Sequence, residues 1–153
     1  MFVIDVPFFN LDQIYNSKQV PRWIKLNDSK YIIAHGNKSL KVEQVKERLI
    51  MSCTEDDFFN IWFEYFDLRT DYSEVNRCIK SYSRKFVAPS NRGSGIHIIN
   101  QEPFETYVLC KLAQYVGWEK AKQLMIAIAE KYGIKHVQAM REAGKQTWYE
   151  WPS

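Results

Sequence analysis

From Thr54 to Phe66 the chain reads TEDDFFNIWFEYF. This places Phe58, Ile61, Trp62, Tyr65 and Phe66 at i, i+3, i+4, i+7 and i+8, one face of an α-helix. A face of four aromatic rings and an isoleucine has to be buried, so the rest of the chain must supply the surface that covers it. Thr54 with Asp57 three residues on resembles a capping box, with Asp in place of the usual Glu or Gln. Glu55, Asp56 and Asp57 fall in the first turn, where the positive end of the helix dipole favours them. They are therefore read as helix-start residues rather than as a metal or acid–base cluster.

The chain before this helix reads as β. RWIKL and YIIAH flank Asn27, Asp28, Ser29 and Lys30, a polar turn between apolar runs, which predicts a hairpin. In SLKVEQVKERLIMSC, Val42, Val45 and Leu49 fit either a helix or two short strands. After the aromatic helix, Asp71 can cap another, with Val75, Cys78, Ile79 and Tyr82 on its inner side. Pro89 and the NRGSG segment are expected to break the chain. Pro103 suits the first turn of a new helix, which carries Phe104, Tyr107, Val108 and Leu112 and stops near Gly117. A further helix is expected from about Glu119 to Tyr132, with Ala121, Leu124, Met125, Ile128 and Ala129 inside and Gly133 as its stop. KQTWYEWPS looks extended. Strands followed by helices indicate an α+β fold. The expected core is Phe58, Ile61, Trp62, Tyr65, Phe66, Ile98, Phe104, Leu124 and Ile128.

The 153 residues suit one domain able to fold alone, and no internal repeat or low-complexity tract appears. No apolar run is long enough to span a bilayer, and no signal-peptide pattern is present. Cys53, Cys78 and Cys110 are odd in number and far apart, which argues for a reducing, cytoplasmic setting. His35, His97 and His136 are equally scattered, and no Cys–His pair has zinc-ligand spacing, so no metal and no cofactor is expected. Nothing in the sequence sets the oligomeric state.

The net charge is only +3, but its distribution is uneven. From Thr54 to Glu74 there are seven acids against one base, Arg69. From Val75 to Gln101 there are five bases (Arg77, Lys80, Arg84, Lys85 and Arg92) and no acid. On a helix starting near Asp71, Arg77, Lys80 and Arg84 share a face. Such a block can be a solvated face. With Tyr82 and Phe86 inside it, it also fits phosphate contact.

Four segments, in one order, resemble the 8-oxoguanine DNA glycosylase family. FFNLDQIYNSKQVPRW resembles an opening segment in which a short aspartate-led helix leads to Gly-Gln-x-Phe-Arg-Trp. DDFFNIWFEYFDLRTDY resembles a helix ending in Tyr-Phe-x-Leu with an Asp-Tyr start behind it. GSGIHIINQEPFE resembles Gly-x-Arg-Ile-Leu-x-Gln-Asp-Pro-x-Glu. The closing AGKQTWYEWPS resembles a loop between helices, most like that of the clostridial-type bacterial members. The resemblance implies a twisted antiparallel sheet with flanking helices, similar to a TATA-binding-protein half, over residues 1–101. Over 102–153 it implies a partial helical part of two or three helices lacking the helix-hairpin-helix, the whole making one compact unit. It also favours strands for Leu40 to Cys53.

The resemblance implies chemistry as well. In the family a lysine in a helix-hairpin-helix attacks the sugar and an aspartate farther on assists. Both follow the closing loop, so neither falls within residues 1–153. Lys111, Lys120 and Lys122 are on amphipathic helices with nothing in the sequence to activate them. The family glycine whose backbone reads the oxidised base falls at Lys18, and a neighbouring phenylalanine at Pro21. Gln19, Arg22 and Trp23 persist, although an Arg-Trp pair at a strand start can be purely structural. The amide-rich stretch that fills the gap left by a flipped base falls near Tyr115, Val116 and Gly117, with only Gln114 beside it. Met1 is consistent with a complete product and the WPS end with a fragment, and the sequence leaves both open.

Three functions follow as expectations. One is a catalytically inactive module that binds duplex DNA weakly and without sequence preference, through Arg77, Lys80, Arg84, Lys85, Arg92, Lys18, Gln19, Arg22, Gln114 and Tyr115. The second is a phage-type or mobile-element protein that binds and inhibits a host nucleic-acid-processing protein, as an anti-CRISPR protein does. It would use Trp148, Tyr149 and Trp151 as aromatic anchors. The third is the N-terminal part of an active glycosylase/lyase.

Overall fold

The computed structural model describes residues 1–140 and 144–152, without the side chains of 138–140 and 144–146. Ala143 and Ser153, which belong to the closing segment and its end, are outside the described residues. The described residues form seven strands, seven α-helical segments, a π-helical turn and a 3-10 turn. The fold is α+β, as the order of apolar patterns predicts.

Five strands form one sheet in the order β1-β5-β4-β3-β2. They are β1 (Phe2–Asp5), β2 (Ile24–Lys25), β3 (Lys30–His35), β4 (Lys38–Val45) and β5 (Arg48–Met51). RWIKL and YIIAH supply the neighbours β2 and β3. The ambiguous stretch forms β4 and β5, antiparallel, with Val45 opposite Arg48 across a two-residue turn. Lys46 adopts φ +58° there, the left-handed conformation that a tight hairpin turn demands. β1 pairs antiparallel with β5, Phe2 opposite Met51.

The chain divides into two compact units. The first comprises Met1–Val20, Lys25–Tyr31 and Val42–Asn100; the second comprises Pro21–Ile24, Ile32–Lys41 and Gln101–Ser153. The division passes through β3 and β4.

In the first unit, α1 (Leu11–Asn16) starts at Asn10, whose side chain accepts from the Gln13 backbone N–H. Leu11 and Ile14 are its buried side. Thr54 caps the aromatic helix as predicted, accepting from the Asp57 N–H at 3.1 Å. That helix is not regular. It runs as α2 (Glu55–Asp57), a π-helical turn (Phe58–Trp62) and α3 (Phe63–Tyr65), with the Phe63 N–H donating to the Phe58 carbonyl. The extra residue in the turn shifts the buried face. Phe58, Trp62, Tyr65 and Phe66 are buried, and Ile61 is half-buried. Phe58 stacks on Phe2 at 4.4 Å and Phe66 meets Phe9 edge-on at 5.5 Å. Ile98, expected in this core, is 65% exposed; its neighbour Ile99 is buried instead.

Asp71 caps α4 (Tyr72–Tyr82) through the Ser73 and Glu74 N–H groups. The inner side of α4 is a correction. Val75, Cys78, Ile79 and Tyr82 face outward, and Asn76 is the buried residue. Pro89 is a second correction. It does not break the chain but lies in the first turn of α5 (Val87–Arg92), where a missing N–H leaves no bond unmade.

The second unit holds α6 (Pro103–Val116), α7 (Trp118–Tyr132) and a hairpin of β6 (Lys135–Met140) with β7 (Gly144–Tyr149). Pro103 opens α6 and Gly117, at φ +76°, separates the helices, as expected. Leu109, Ala121, Met125, Ala129 and Trp151 form the core, with Val108, Leu112 and Ile128 packed against it. Phe104 is 56% exposed, so its expected core role fails, and Leu124 is only half-buried. The face of α6 that turns inward carries Glu105 and Leu109 instead. Gly133 ends α7 without a positive φ. A Cβ there would stand 2.0 Å from the Glu150 carbonyl oxygen, so the returning strand requires the missing side chain.

Candidate nucleic-acid interface

The five bases of the acid-free block lie on α4, on the 3-10 turn Arg84–Phe86 and on α5, all within the first unit. The helix start is fixed by Asp71, whose carboxyl is held below its usual range by the Ser73 hydroxyl and the Glu74 N–H. Ser83, in extended conformation, ends α4 and caps the 3-10 turn by accepting from the Lys85 N–H. The bases therefore follow one another along two short helical pieces with a bend at Ser83.

They are not equivalent. Arg77 forms a two-pronged pair with Glu74, at 2.7 and 2.5 Å. The arginine holds the Glu74 carboxyl below its usual range. Lys80, Arg84, Lys85 and Arg92 pair with no carboxylate among the described residues, and all but the half-buried Lys80 are exposed.

α4 is anchored by polar contacts. The Ser90 hydroxyl donates to Asn76 Oδ1. Tyr72 donates to Asp67 at 2.7 Å, accepts from the Ile98 N–H at 2.8 Å, and stacks on His97 with centroids 3.8 Å apart. The His97 ring nitrogens lie 3.1 Å from the Phe66 and Phe8 carbonyl oxygens. Burial pushes its pKa down, against the pull of those carbonyls. Reading the sequence for charge overlooked this support. Its one visible signal is that His97 stands where the resembling segment has an arginine.

The remaining residues named from the resemblance separate between the units. Lys18 and Gln19 belong to the first, and Arg22, Gln114 and Tyr115 to the second. Lys18 is exposed at φ +63°, so the glycine-favouring conformation persists with a lysine in it. The Gln19 amide donates to the His97 carbonyl and accepts from the Ile99 N–H. Arg22 is engaged by both Glu105 oxygens, at 2.5 and 2.9 Å, and donates to the Tyr149 carbonyl. Gln114 and Tyr115 are exposed at the end of α6. Of the aromatic anchors, Trp151 is buried in the core, Tyr149 packs against it, and Trp148 stacks on His136 at 5.4 Å. These rings pack on residues of their own unit. Among the described residues, no group of three or more His, Cys, Asp or Glu could hold a metal ion. No described helix is long and apolar enough to cross a membrane.

Residues 1–107 match the family model described as 8-oxoguanine DNA glycosylase, N-terminal domain, and the chain belongs to that family. Among solved structures it is similar to the Clostridium acetobutylicum 8-oxoguanine glycosylase/lyase in its apo form, at 27% identity and TM-score 0.85, covering 99% of this chain and 52% of that one. The same glycosylase/lyase with double-stranded DNA containing cytosine opposite 8-oxoG gives 25% identity and TM-score 0.80, covering 100% and 54%. MBOgg1 in complex with a low-affinity DNA ligand shares the fold, at 24% identity and TM-score 0.87, covering 98% and 50%. The chain thus spans about half the length of these structures. No curated protein matches it.

Proposed function

We propose that residues 1–153 hold duplex DNA by its backbone, without reading sequence and without excising a base themselves. The observation that carries this reading is the run of Lys80, Arg84, Lys85 and Arg92, unpaired with carboxylates among the described residues, in a segment without a single acid. Phosphate contacts of this kind position a protein on a duplex and carry no sequence information. Family membership and the likeness to a glycosylase/lyase seen on duplex DNA support the choice of ligand.

Excision requires a flipped base, a pocket for it and an activated nucleophile. Lys111 is exposed over the Tyr107 ring at 5.7 Å, and Lys120 is exposed. Lys18 puts a side chain where the resemblance calls for bare backbone, and Tyr115 an exposed ring where it calls for amides. These features support binding without excision. Because Trp151 and Tyr149 pack in their own unit, no specific observation favours the inhibitor reading.

Fluorescence anisotropy on labelled duplexes across a salt series tests the proposal. Four phosphate contacts give a slope of log affinity against log salt of about −3.6. Changing Arg84→Glu and Lys85→Glu together should weaken binding to all sequences equally and flatten the slope. Absence of binding at low salt would overturn the proposal.

A further inference from the structure

Helix α4 is amphipathic in the wrong sense for a packed helix. Val75, Ile79 and Tyr82 are 40%, 44% and 85% exposed, and the buried position is Asn76. The outward apolar surface continues through Phe86 and Val87 in the turn and the start of α5. Apolar residues at i, i+4 and i+7 ordinarily bind a helix to a core. Here the contacts of Asn76 with Ser90 and of Tyr72 with His97 do that work and leave the apolar side free. A contiguous apolar patch with a polar rim marks a binding site.

The rim defines what can bind. Lys80, Arg84, Lys85 and Arg92 lie on the same three consecutive segments as the apolar residues, and no carboxylate occurs between Val75 and Gln101. The matching ligand is anionic and also offers apolar faces. The Tyr82 and Phe86 rings are 6.0 Å apart and tilted by 45°, so neither covers the other. Paired bases in a duplex have both faces covered by their neighbours and give such rings nothing to stack on. Unpaired bases leave their faces open, and stacking on aromatic side chains beside a basic track is tolerant of sequence. An acidic polypeptide would meet the same cations but brings few flat faces to a ring as exposed as Tyr82.

We propose that this patch binds unpaired nucleotides, with bases stacked on Tyr82 and Phe86 and phosphates on Lys80, Arg84 and Lys85. The inference rests on the reading that the basic segment contacts nucleic acid, and it deepens that reading. It makes single-stranded segments, such as a gap or a displaced strand beside a duplex, the preferred ligand.

Anisotropy with a labelled single strand, and with the duplex made from it, tests the two readings separately. The single strand should bind about tenfold more tightly than the duplex, the order expected of one or two stacked bases. Tyr82→Ala should remove that preference and leave duplex affinity and its salt slope unchanged, while Tyr82→Phe retains the preference. The ring is almost fully exposed, so these variants should fold like the parent. Equal binding of strand and duplex, with Tyr82→Ala silent, overturns the stacking site and leaves the duplex reading standing. Absence of binding to either overturns both. Displacement of the strand by polyglutamate, itself bound in a Tyr82-dependent way, overturns the nucleotide assignment in favour of an acidic polypeptide.

Discussion

Lys18 combines an ordinary exposed side chain with a backbone at φ +63°, where a Cβ is sterically costly. Replacing it with glycine removes that cost and adds some unfolded-chain entropy. Lys18→Gly should therefore gain about 0.5–1 kcal/mol, read as a shift of the urea midpoint. His97 is the other residue whose environment decides its chemistry. Burial favours the neutral ring, so its folded pKa lies below the ordinary value of 6.5. Between those two values the unfolded chain binds more protons than the folded one, so acidification favours unfolding. The contribution of His97 to stability is full above about 6.5 and declines as pH falls below it. An NMR titration of the ring should give a midpoint under 6.5, and the urea midpoint should fall from pH 7.5 to 5.5. A midpoint above 6.5 would mean that the Phe66 and Phe8 carbonyls outweigh burial.

Two helices show how far periodicity carries at the level of elements. In the aromatic helix, spacing picked out Phe58, Trp62, Tyr65 and Phe66 correctly, because four large rings leave the chain few ways to hide them. Trp62 is 1% exposed, and Trp62→Ala should cost about 3–5 kcal/mol in denaturant unfolding. The π-helical turn left no trace in the spacing, since one inserted residue moves Ile61 only to the edge of the same face. In α4 the spacing was equally clean and pointed the wrong way. Ile79→Ser should change stability by no more than about 0.5 kcal/mol, the range for surface positions. Asp71→Ala should cost about 1 kcal/mol, because its carboxylate satisfies two N–H groups at the helix start. An Ile79→Ser loss as large as that of a core position would return the apolar side of α4 to the interior.

At the scale of the molecule, the net charge of +3 conceals an acidic stretch followed by a basic one. The boundary falls at α4, where Glu74 is held by Arg77 and the bases beyond it meet no carboxylate among the described residues. That separation concentrates positive charge in one segment of a chain nearly balanced in charge. Trapping with borohydride separates holding DNA from cutting it. Residues 1–153 should give no covalent complex with duplexes containing oxidised guanine or an abasic site, because no amine among the described residues is positioned to form the Schiff base. A complex lost on changing Lys111, Lys120 or Lys122 would identify a nucleophile.

Residue order alone was enough for the α+β class, the hairpin of β2 and β3, the caps at Thr54 and Asp71, Pro103 at the start of α6 and the acid-free basic run. Each of these depends on neighbours within a few positions, which is the range over which capping, turn chemistry and charge spacing act. Strands for the stretch from Leu40 to Cys53 came from the family resemblance, since its own pattern fitted a helix equally well. β6 was missed, because KHVQAM carries no alternation strong enough to announce a strand. Tertiary structure alone decided which side of α4 faces in, since Asn76 and Tyr72 of that helix are held by Ser90 and His97, which lie beyond its end. It also set Arg22 against Glu105 and Trp151 into the core of its unit. Such choices depend on which surfaces meet across the fold, and a side chain's partner many residues away leaves no mark on the residues beside it.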